Sequence, residues 1–310
     1  MPVDPRRSAK LAVCLATIYL VWGSSFLFSK VAVDNLPIAL LAGVRFVTAG
    51  TVLAIVARYW TRVPWPQYLA DWRHVAIAGF FMVFASNGLN VWALQFLPSN
   101  ESALLNASAA IWITGLGVFG RRGHPLNRRA AFRVAVGLLG TGLMLVPRAA
   151  PSGSLLLAKF GVLLACFCWA LGTIYYRSID TRLSPLMFMA LQMLFGGLLL
   201  LGVGFASGES ARWTINAAGL ISLSYLTFVS SCLAYTAYGW LALNAAPALI
   251  GTYSYVNPAI AAFLGWQFLH ESLSRLQVAG MIIIIVGVML MTLRGGGFAD
   301  GKIRREANAR

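Results

Sequence analysis

The chain has 310 residues, of which 59% are hydrophobic and only 11% are charged. Soluble domains carry about 25% charged residues, so this composition excludes an ordinary soluble protein and indicates a membrane protein. The net charge of +15 comes from short basic clusters between long apolar runs, which is typical of membrane loops. We therefore expect the lipid bilayer to surround the chain, and we expect no nucleic-acid partner.

Ten apolar segments follow one another along the chain. A helix of about 20 apolar residues is long enough to cross the hydrocarbon core of a bilayer. The segments cover approximately residues 9–29, 38–58, 74–96, 101–119, 130–147, 155–176, 185–206, 217–240, 247–269 and 276–293. The sequence therefore predicts an all-α integral membrane protein with ten transmembrane helices.

The basic residues are distributed unequally between the two sides of the predicted bundle. With the N-terminus in the cytoplasm, most of the 24 lysines and arginines fall on the cytoplasmic side. Cytoplasmic loops are enriched in these residues, so we predict that both termini are cytoplasmic. The expected location is the plasma membrane, which is the inner membrane of a bacterium, with multiple crossings.

The two halves of the chain resemble each other. The stretch Trp22–Lys30 (WGSSFLFSK) is echoed 147 residues later by Trp169–Arg177 (WALGTIYYR), and ALQFLP of 93–98 is echoed by ALNAAP of 242–247. Because each half holds five predicted helices, an odd number, the second half is expected to be inverted relative to the first. Inverted repeats are typical of secondary transporters, which bind solute between the halves near the bilayer midplane. The predicted parts are a first repeat (1–150), a second repeat (151–294) and a disordered basic cytoplasmic tail (295–310).

Several short motifs carry a resemblance to a known family. They are Trp22-Gly23-Ser24-Ser25, Arg45-Phe46, Asn257-Pro258 and His270-Glu271-Ser272-Leu273. In this order and spacing the chain resembles, over roughly residues 10–294, the EamA branch of the drug/metabolite transporter superfamily. Within that branch it is similar to amino-acid exporters of the YddG type. The resemblance implies a 5+5 inverted repeat around a central cavity, with helices 1, 3, 4, 6, 8 and 9 as walls and helices 5 and 10 at the periphery.

The first half departs from the family pattern. Where the second half has Asn257-Pro258 and His270-Glu271, the first has Ser108-Ala109 and Arg121-Arg122. A symmetric role for these positions is therefore not expected.

Polar and aromatic side chains recur at three- and four-residue spacing on the helices that would surround the cavity. Such groups have few partners in hydrocarbon, so we expect them to face a wet interior. The alternatives are interface anchoring for Trp and Tyr, packing contacts for Asn, and bonds to the local backbone for Ser and Thr. The predicted lining residues are Trp22, Ser25, Asn87, Asn90, Ser108, Trp112, Trp169, Thr173, Tyr235, Tyr238, Tyr253 and Asn257.

Arg45 lies eight residues into the second apolar segment, too deep for its side chain to reach the membrane surface easily. A charge at this depth is costly unless it faces the bundle and finds partners. We favour a structural role, in which the guanidinium bonds carbonyl groups at a helix end. Recognition of a substrate carboxylate is the alternative.

Chemical groups that other functions require are missing from the predicted spans. None of the nine acidic residues or three histidines lies in the middle of a span, which disfavours a tightly proton-coupled carrier. The four cysteines lack metal-ligand spacing, and no nucleophile accompanies a base. We therefore predict no metal, no cofactor and no enzymatic activity.

These observations together favour a carrier for small molecules that works by alternating access. A cavity rich in aromatic and amide groups suits neutral and aromatic amino acids, and we expect the protein to export them. The alternatives are export of another solute class, such as purines, sugars or hydrophobic drugs, and, from another class of protein, a membrane enzyme or channel. The oligomeric state stays open, with a monomer as the working expectation.

Overall fold

The computed structural model describes residues 5–117, 153–214 and 216–272, with isolated positions at 132, 135, 139, 275, 278–279 and 282–283. Across these residues the regular structure is helical, without strands. The predicted fifth and tenth spans (130–147 and 276–293) lie almost entirely outside the described residues, as does the tail (295–310).

The described helices follow the predicted apolar segments, and six of them are long and apolar enough to cross a membrane. This architecture fits an integral membrane protein with multiple crossings. The helices are α1 (Pro5–Asn35), α2 (Ile38–Ile55, continued by a π-helical turn Val56–Trp60), α3 (Leu69–Gly79, a π-helical section Phe80–Ala85, and Ser86–Ala93), α4 (Ser99–Asn106), α5 (Ala109–Leu116), α6 (Gly153–Ser178), α7 (Pro185–Ala206), α8 (Ala217–Ser224, a π-helical section Tyr225–Leu233, and Ala234–Asn244), α9 (Pro247–Ile250) and α10 (Tyr253–Leu269). A short 3₁₀ helix, Glu209–Arg212, precedes α8.

The first helix is longer than its apolar run. The sequence predicts a span over 9–29, whereas α1 extends from Pro5 to Asn35. Lys30 and Asp34 form an i,i+4 ion pair at 3.1 Å on its last turns, and such a pair stabilises a helix in the polar region beyond the apolar core.

The predicted fourth and ninth spans are each broken into two helices. The amide of Ala107 donates to the carbonyl of Leu104, and the amide of Thr252 donates to the carbonyl of Leu249. These i→i−3 bonds are the tightened turns of a 3₁₀ helix, and they shift the angular phase of the residues that follow. The continuous helices predicted over 101–119 and 247–269 are therefore wrong in this detail.

Helices α3 and α8 are widened instead of tightened. Each contains a π-helical section, at Phe80–Ala85 and at Tyr225–Leu233. Sections of this kind occur often at functional sites, because the extra residue in the turn redirects the side chains beside it.

Helices α2 and α7 pack closely against each other, and glycines allow the approach. A Cβ on Gly50 would lie 2.7 Å from the carbonyl oxygen of Ala190, and one on Gly197 would lie 2.8 Å from the amide nitrogen of Val47. Small residues at helix crossings let backbones pack directly, which drives association in lipid, where the hydrophobic effect contributes little. Arg45 lies on α2 of this pair.

Candidate functional site

A cavity of about 120 Å³ lies between the helices. An apolar cavity of about 150 Å³ in another protein admits benzene, so this space can accept several waters or part of a small solute. Its walls come from α1, α2, α3, α4, α5, α6, α8 and α10. They comprise Trp22, Ser25, Phe26, Ser29, Arg45, Ser86, Asn87, Asn90, Val91, Leu94, Ser102, Ala103, Asn106, Ala109, Cys166, Trp169, Ser230, Tyr235, Tyr253, Ser254 and Asn257.

Asparagine amides form one polar wall. Asn87 Nδ2 donates to the Tyr235 hydroxyl at 2.7 Å and to the carbonyl of Met82, inside the π-helical section of α3, also at 2.7 Å. Asn106 Nδ2 donates to Asn90 Oδ1 at 2.7 Å. These bonds fix the orientation of each amide, so the wall presents a defined pattern of donors and acceptors.

Asn257 extends this polar lining from the opposite side. With its side-chain amide assigned so that the nitrogen faces these acceptors, Asn257 Nδ2 donates to the carbonyls of Tyr19 and Tyr253, each at 3.1 Å. The next residue, Pro258, lies inside α10 and cannot donate a backbone hydrogen bond. The side chain of Asn257 therefore links α10 to α1 next to this proline.

Arg45 belongs to the cavity wall, although its side chain is only 6% exposed. Its Nε donates to Ser231 Oγ at 2.8 Å, and its Nη2 donates to Ser230 Oγ at 3.1 Å. The guanidinium stacks over Phe46, with 4.6 Å between Cζ and the ring centroid. The partners are hydroxyls of α8 and not the helix-end carbonyls that we expected.

Aromatic rings close one end of the cavity. Trp22 lies at centroid distances of 5.5 Å from Trp169, 5.5 Å from Tyr235, 5.1 Å from Tyr238 and 5.1 Å from Tyr253. Most of these pairs are edge-to-face, an arrangement that is favourable beyond simple burial. We call these five residues the aromatic cluster.

Most of the residues predicted from the sequence line this one space. Whether they contact a substrate stays a prediction. The predicted residues found in the wall are Trp22, Ser25, Asn87, Asn90, Trp169, Tyr235, Tyr253 and Asn257, and those outside it are Ser108, Trp112, Thr173 and Tyr238.

The break between α4 and α5 accounts for two of the differences. Ser108 lies at this break, and Trp112 follows it on α5. Trp112 is 38% exposed and packs edge-to-face on Phe167 at 5.1 Å. The three- and four-residue spacing assumes a continuous helix, whereas the tightened turn shifts the angular phase of the residues after it, and Trp112 lies outside the cavity wall.

Tyr238, a member of the aromatic cluster, and its partner Thr173 lie outside the cavity wall. Their hydroxyls are 2.6 Å apart and both residues are fully buried. The spacing correctly directed them inward, but the bundle is packed at this level and leaves no space beside them.

Sequence reasoning missed other wall residues. Ser102 and Asn106 follow the i,i+4 spacing used for the other helices, and they could have been found by the same rule. Ser230 belongs to the π-helical section of α8, whose widened turn changes the spacing, so an α-helical pattern could not identify it. Among the residues described, no group of three His, Cys, Asp or Glu could hold a metal.

Comparison with known proteins gives consistent results. The model of the EamA-like transporter family matches the chain twice, over residues 9–146 and 156–293. The chain is 29% identical to the uncharacterized inner membrane transporter YedA of Escherichia coli, over 93% of this chain and 92% of that protein. It is 27% identical to a probable amino-acid metabolite efflux pump of Salmonella typhimurium, over 88% of this chain and 91% of that protein.

A solved crystal structure shares the fold, with a TM-score of 0.74 at 19% identity, covering 92% of this chain and 97% of the other. The two segments that match the family model include the helices around the cavity and the α2–α7 pair. The chain therefore belongs to the EamA-like transporter family and is a membrane transporter.

Proposed function

We propose that this transporter exports small metabolites, with neutral and aromatic amino acids as its solutes, and that it works by alternating access. The observation that carries the proposal is the cavity, whose described wall combines oriented amides, aromatic rings and the guanidinium of Arg45. A carboxylate, a neutral polar group and an aromatic side chain would each find a complementary partner there. The name of the Salmonella relative as a probable amino-acid metabolite efflux pump supports the same solute class.

The proposed architecture is ten transmembrane helices in a 5+5 inverted repeat in the bacterial inner membrane. The division into 1–150 and 151–294 is supported by the two matches to the family model. Local details also support it, because the third and eighth spans both contain a π-helical section and the fourth and ninth are both broken.

Transport in proteoliposomes tests the proposed solute class. Purified protein should catalyse counterflow of phenylalanine, tryptophan and small neutral amino acids from a panel that also includes purines and sugars. No Asp, Glu or His belongs to the described cavity wall, so an imposed pH step should change the flux little. Movement of another solute class alone, or transport that stops when the pH gradient collapses, would contradict the proposal.

Cysteine labelling tests the inverted topology. Single cysteines at Gln95 and Asn244, in a background without the four native cysteines, should be labelled from opposite sides of the membrane. Gln95 is exposed, whereas the neighbouring Ser99 is fully buried and unsuitable for labelling. Labelling of both positions from the same side would exclude the inverted repeat.

A further inference from the structure

We propose that Arg45 selects solutes by their carboxylate group, and that the cavity does not require the positive amino group of an amino acid. The inference rests on the proposed function, because it describes how the same cavity recognises its solute. It predicts that carboxylates without an amino group bind, and that amines without a carboxylate do not.

The positive charge of Arg45 lacks a counter-ion within the described part of the chain. Its hydrogen-bond partners there are the neutral hydroxyls of Ser230 and Ser231, and no described carboxylate lies within 4.0 Å. An uncompensated guanidinium deep in an apolar bundle is costly, and an anion beside it would offset that cost.

Most of the described carboxylates are engaged elsewhere, near helix ends. Glu271 accepts from the amide of Ser99 at 2.8 Å, and Glu209 accepts from the amide of Leu40 at 2.9 Å. Glu101 pairs with Lys159 at 2.5 Å. None of them belongs to the cavity wall, so the charge of Arg45 is available to a negatively charged solute.

The guanidinium of Arg45 also has N–H donors that a solute could bind. Nε and Nη2 bond the serines of α8, while Nη1 has no hydrogen bond to a described residue. Arginine binds carboxylates through such N–H groups with higher strength and directionality than it binds neutral acceptors. The contacts with Ser230 and Ser231 hold the side chain in place, which reduces the entropy lost when a solute binds.

Among the described residues, the rest of the wall has no anionic group that could pair with an ammonium ion. Its remaining polar side chains are neutral amides and hydroxyls, such as Asn90, Asn106 and Ser102, whose Oγ is buried without a partner among the described atoms. These groups can accept a hydrogen bond from an amino group, but they supply no compensating charge. An amine without a carboxylate would bring a second positive charge into the space that holds Arg45, and like charges repel strongly at low dielectric constant.

The aromatic cluster supplies the apolar surface of the same cavity. Trp22, Trp169 and Tyr253 belong to the cavity wall, and an aryl group packs well against such rings. The class of solute that suits both Arg45 and the rings is an aryl-substituted monocarboxylate, with or without an amino group.

Ligand-induced thermal stabilisation of purified protein tests this inference, because a ligand that binds the folded state raises its melting temperature. The probes are phenylalanine, 3-phenylpropionate, which lacks the amino group, and 2-phenylethylamine, which lacks the carboxylate. We expect the two carboxylates to stabilise the protein at similar concentrations and the amine to require a concentration at least about tenfold higher.

Substitutions at Arg45 test the role of the residue itself. Arg45→Gln should abolish stabilisation by both carboxylates, and Arg45→Lys should keep part of it because the charge remains. Arg182→Gln is the matched control, since Arg182 is exposed and contacts Tyr68 outside the cavity. It should respond as the wild type does.

The outcomes separate this inference from the proposed function. Stabilisation by the amine at the same concentration as the carboxylates would overturn the inference, even if counterflow shows that amino acids are transported. Carboxylate stabilisation that depends on Arg45, with no amino-acid counterflow, would support the inference and overturn the proposed solute class. If Arg45→Gln does not fold, the three probes on the wild type still decide.

Discussion

The two ends of the bundle use the same contact but differ in packing. At one end, Lys30 near the end of α1 donates to the carbonyl of Leu94, just after α3, at 3.1 Å. At the other, Arg177 near the end of α6 donates to the carbonyls of Ala242 and Ala245, the latter at 3.0 Å. The two basic residues are 147 positions apart, which is the offset between the repeated sequences.

The two ends differ in the size of the side chains beside these contacts. The cavity occupies the Lys30 end, where small side chains such as Ser25, Ser29 and Ser102 line it. The Arg177 end is filled by tyrosines, with Tyr176 stacked on Phe188 at a centroid distance of 4.5 Å. Equivalent contacts to backbone carbonyls therefore coexist with unequal side-chain volume. We call the end that holds the cavity the open end, and the packed end the closed end.

The largest loss of stability is expected when the close contact between α2 and α7 is disturbed. Gly197→Ala places a Cβ 2.8 Å from the amide nitrogen of Val47, where backbone must move. Overpacking of this kind costs about 1–3 kcal/mol, so the melting temperature in detergent should fall clearly. Gly202→Ala is the control on the same helix, because a Cβ there has no neighbour within 4 Å. Equal melting temperatures for the two variants would show that close α2–α7 packing contributes little.

Removing the basic contacts compares the two ends directly. Arg177→Met should destabilise the protein by about 1–3 kcal/mol, because the buried carbonyls of Ala242 and Ala245 lose a donor. Lys30→Met should cost less than about 1 kcal/mol, since the Lys30 side chain is 21% exposed and its ion-pair partner Asp34 is 54% exposed. Thermal unfolding of both variants measures the difference, and a larger loss for Lys30→Met would contradict this prediction.

The sequence predicted the architecture better than the site. The apolar runs located the described helices because bilayer thickness imposes their length and composition. Trp22, Asn87 and Trp169 were identified because polar and aromatic groups in a span must face inward. Trp112 was misplaced because a tightened turn shifts the helix phase, and such a turn depends on tertiary packing that the 3.6-residue period does not reveal.

The partners of Arg45 also depend on tertiary packing that the sequence pattern does not reveal. The sequence indicated a buried charge that must find partners, and the structure places it on Ser230 and Ser231 of α8. Those partners are about 185 residues away along the chain, and one of them lies in the cavity wall. Periodicity within one helix contains no information about which distant helix lies opposite.

A smaller effect is expected from the two tryptophans that the structure separates. Trp169→Ala should weaken binding of aromatic solutes relative to alanine and serine, because ring contacts contribute about 0.5–1.5 kcal/mol beyond burial. Trp112→Ala should leave this preference unchanged, since Trp112 packs on Phe167 outside the cavity. Competition of labelled phenylalanine counterflow by tryptophan and by alanine measures the preference. Loss of the preference in Trp112→Ala alone would place the solute elsewhere.

The smallest effect concerns a single hydroxyl in the closed end. Tyr238→Phe removes the 2.6 Å hydrogen bond to Thr173, and the loss of one neutral hydrogen bond costs about 0.5–1.5 kcal/mol. Tyr255→Phe is the matched control, because the buried Tyr255 hydroxyl has no hydrogen-bond partner among the described atoms, so its removal should be neutral or stabilising. Thermal unfolding of the two variants gives the difference in stability. If the bond also holds this end closed, a cysteine at Asn244 should react faster with a polar maleimide in Tyr238→Phe than in Tyr255→Phe. Equal reaction rates would mean that the tyrosine packing closes this end without help from the hydrogen bond.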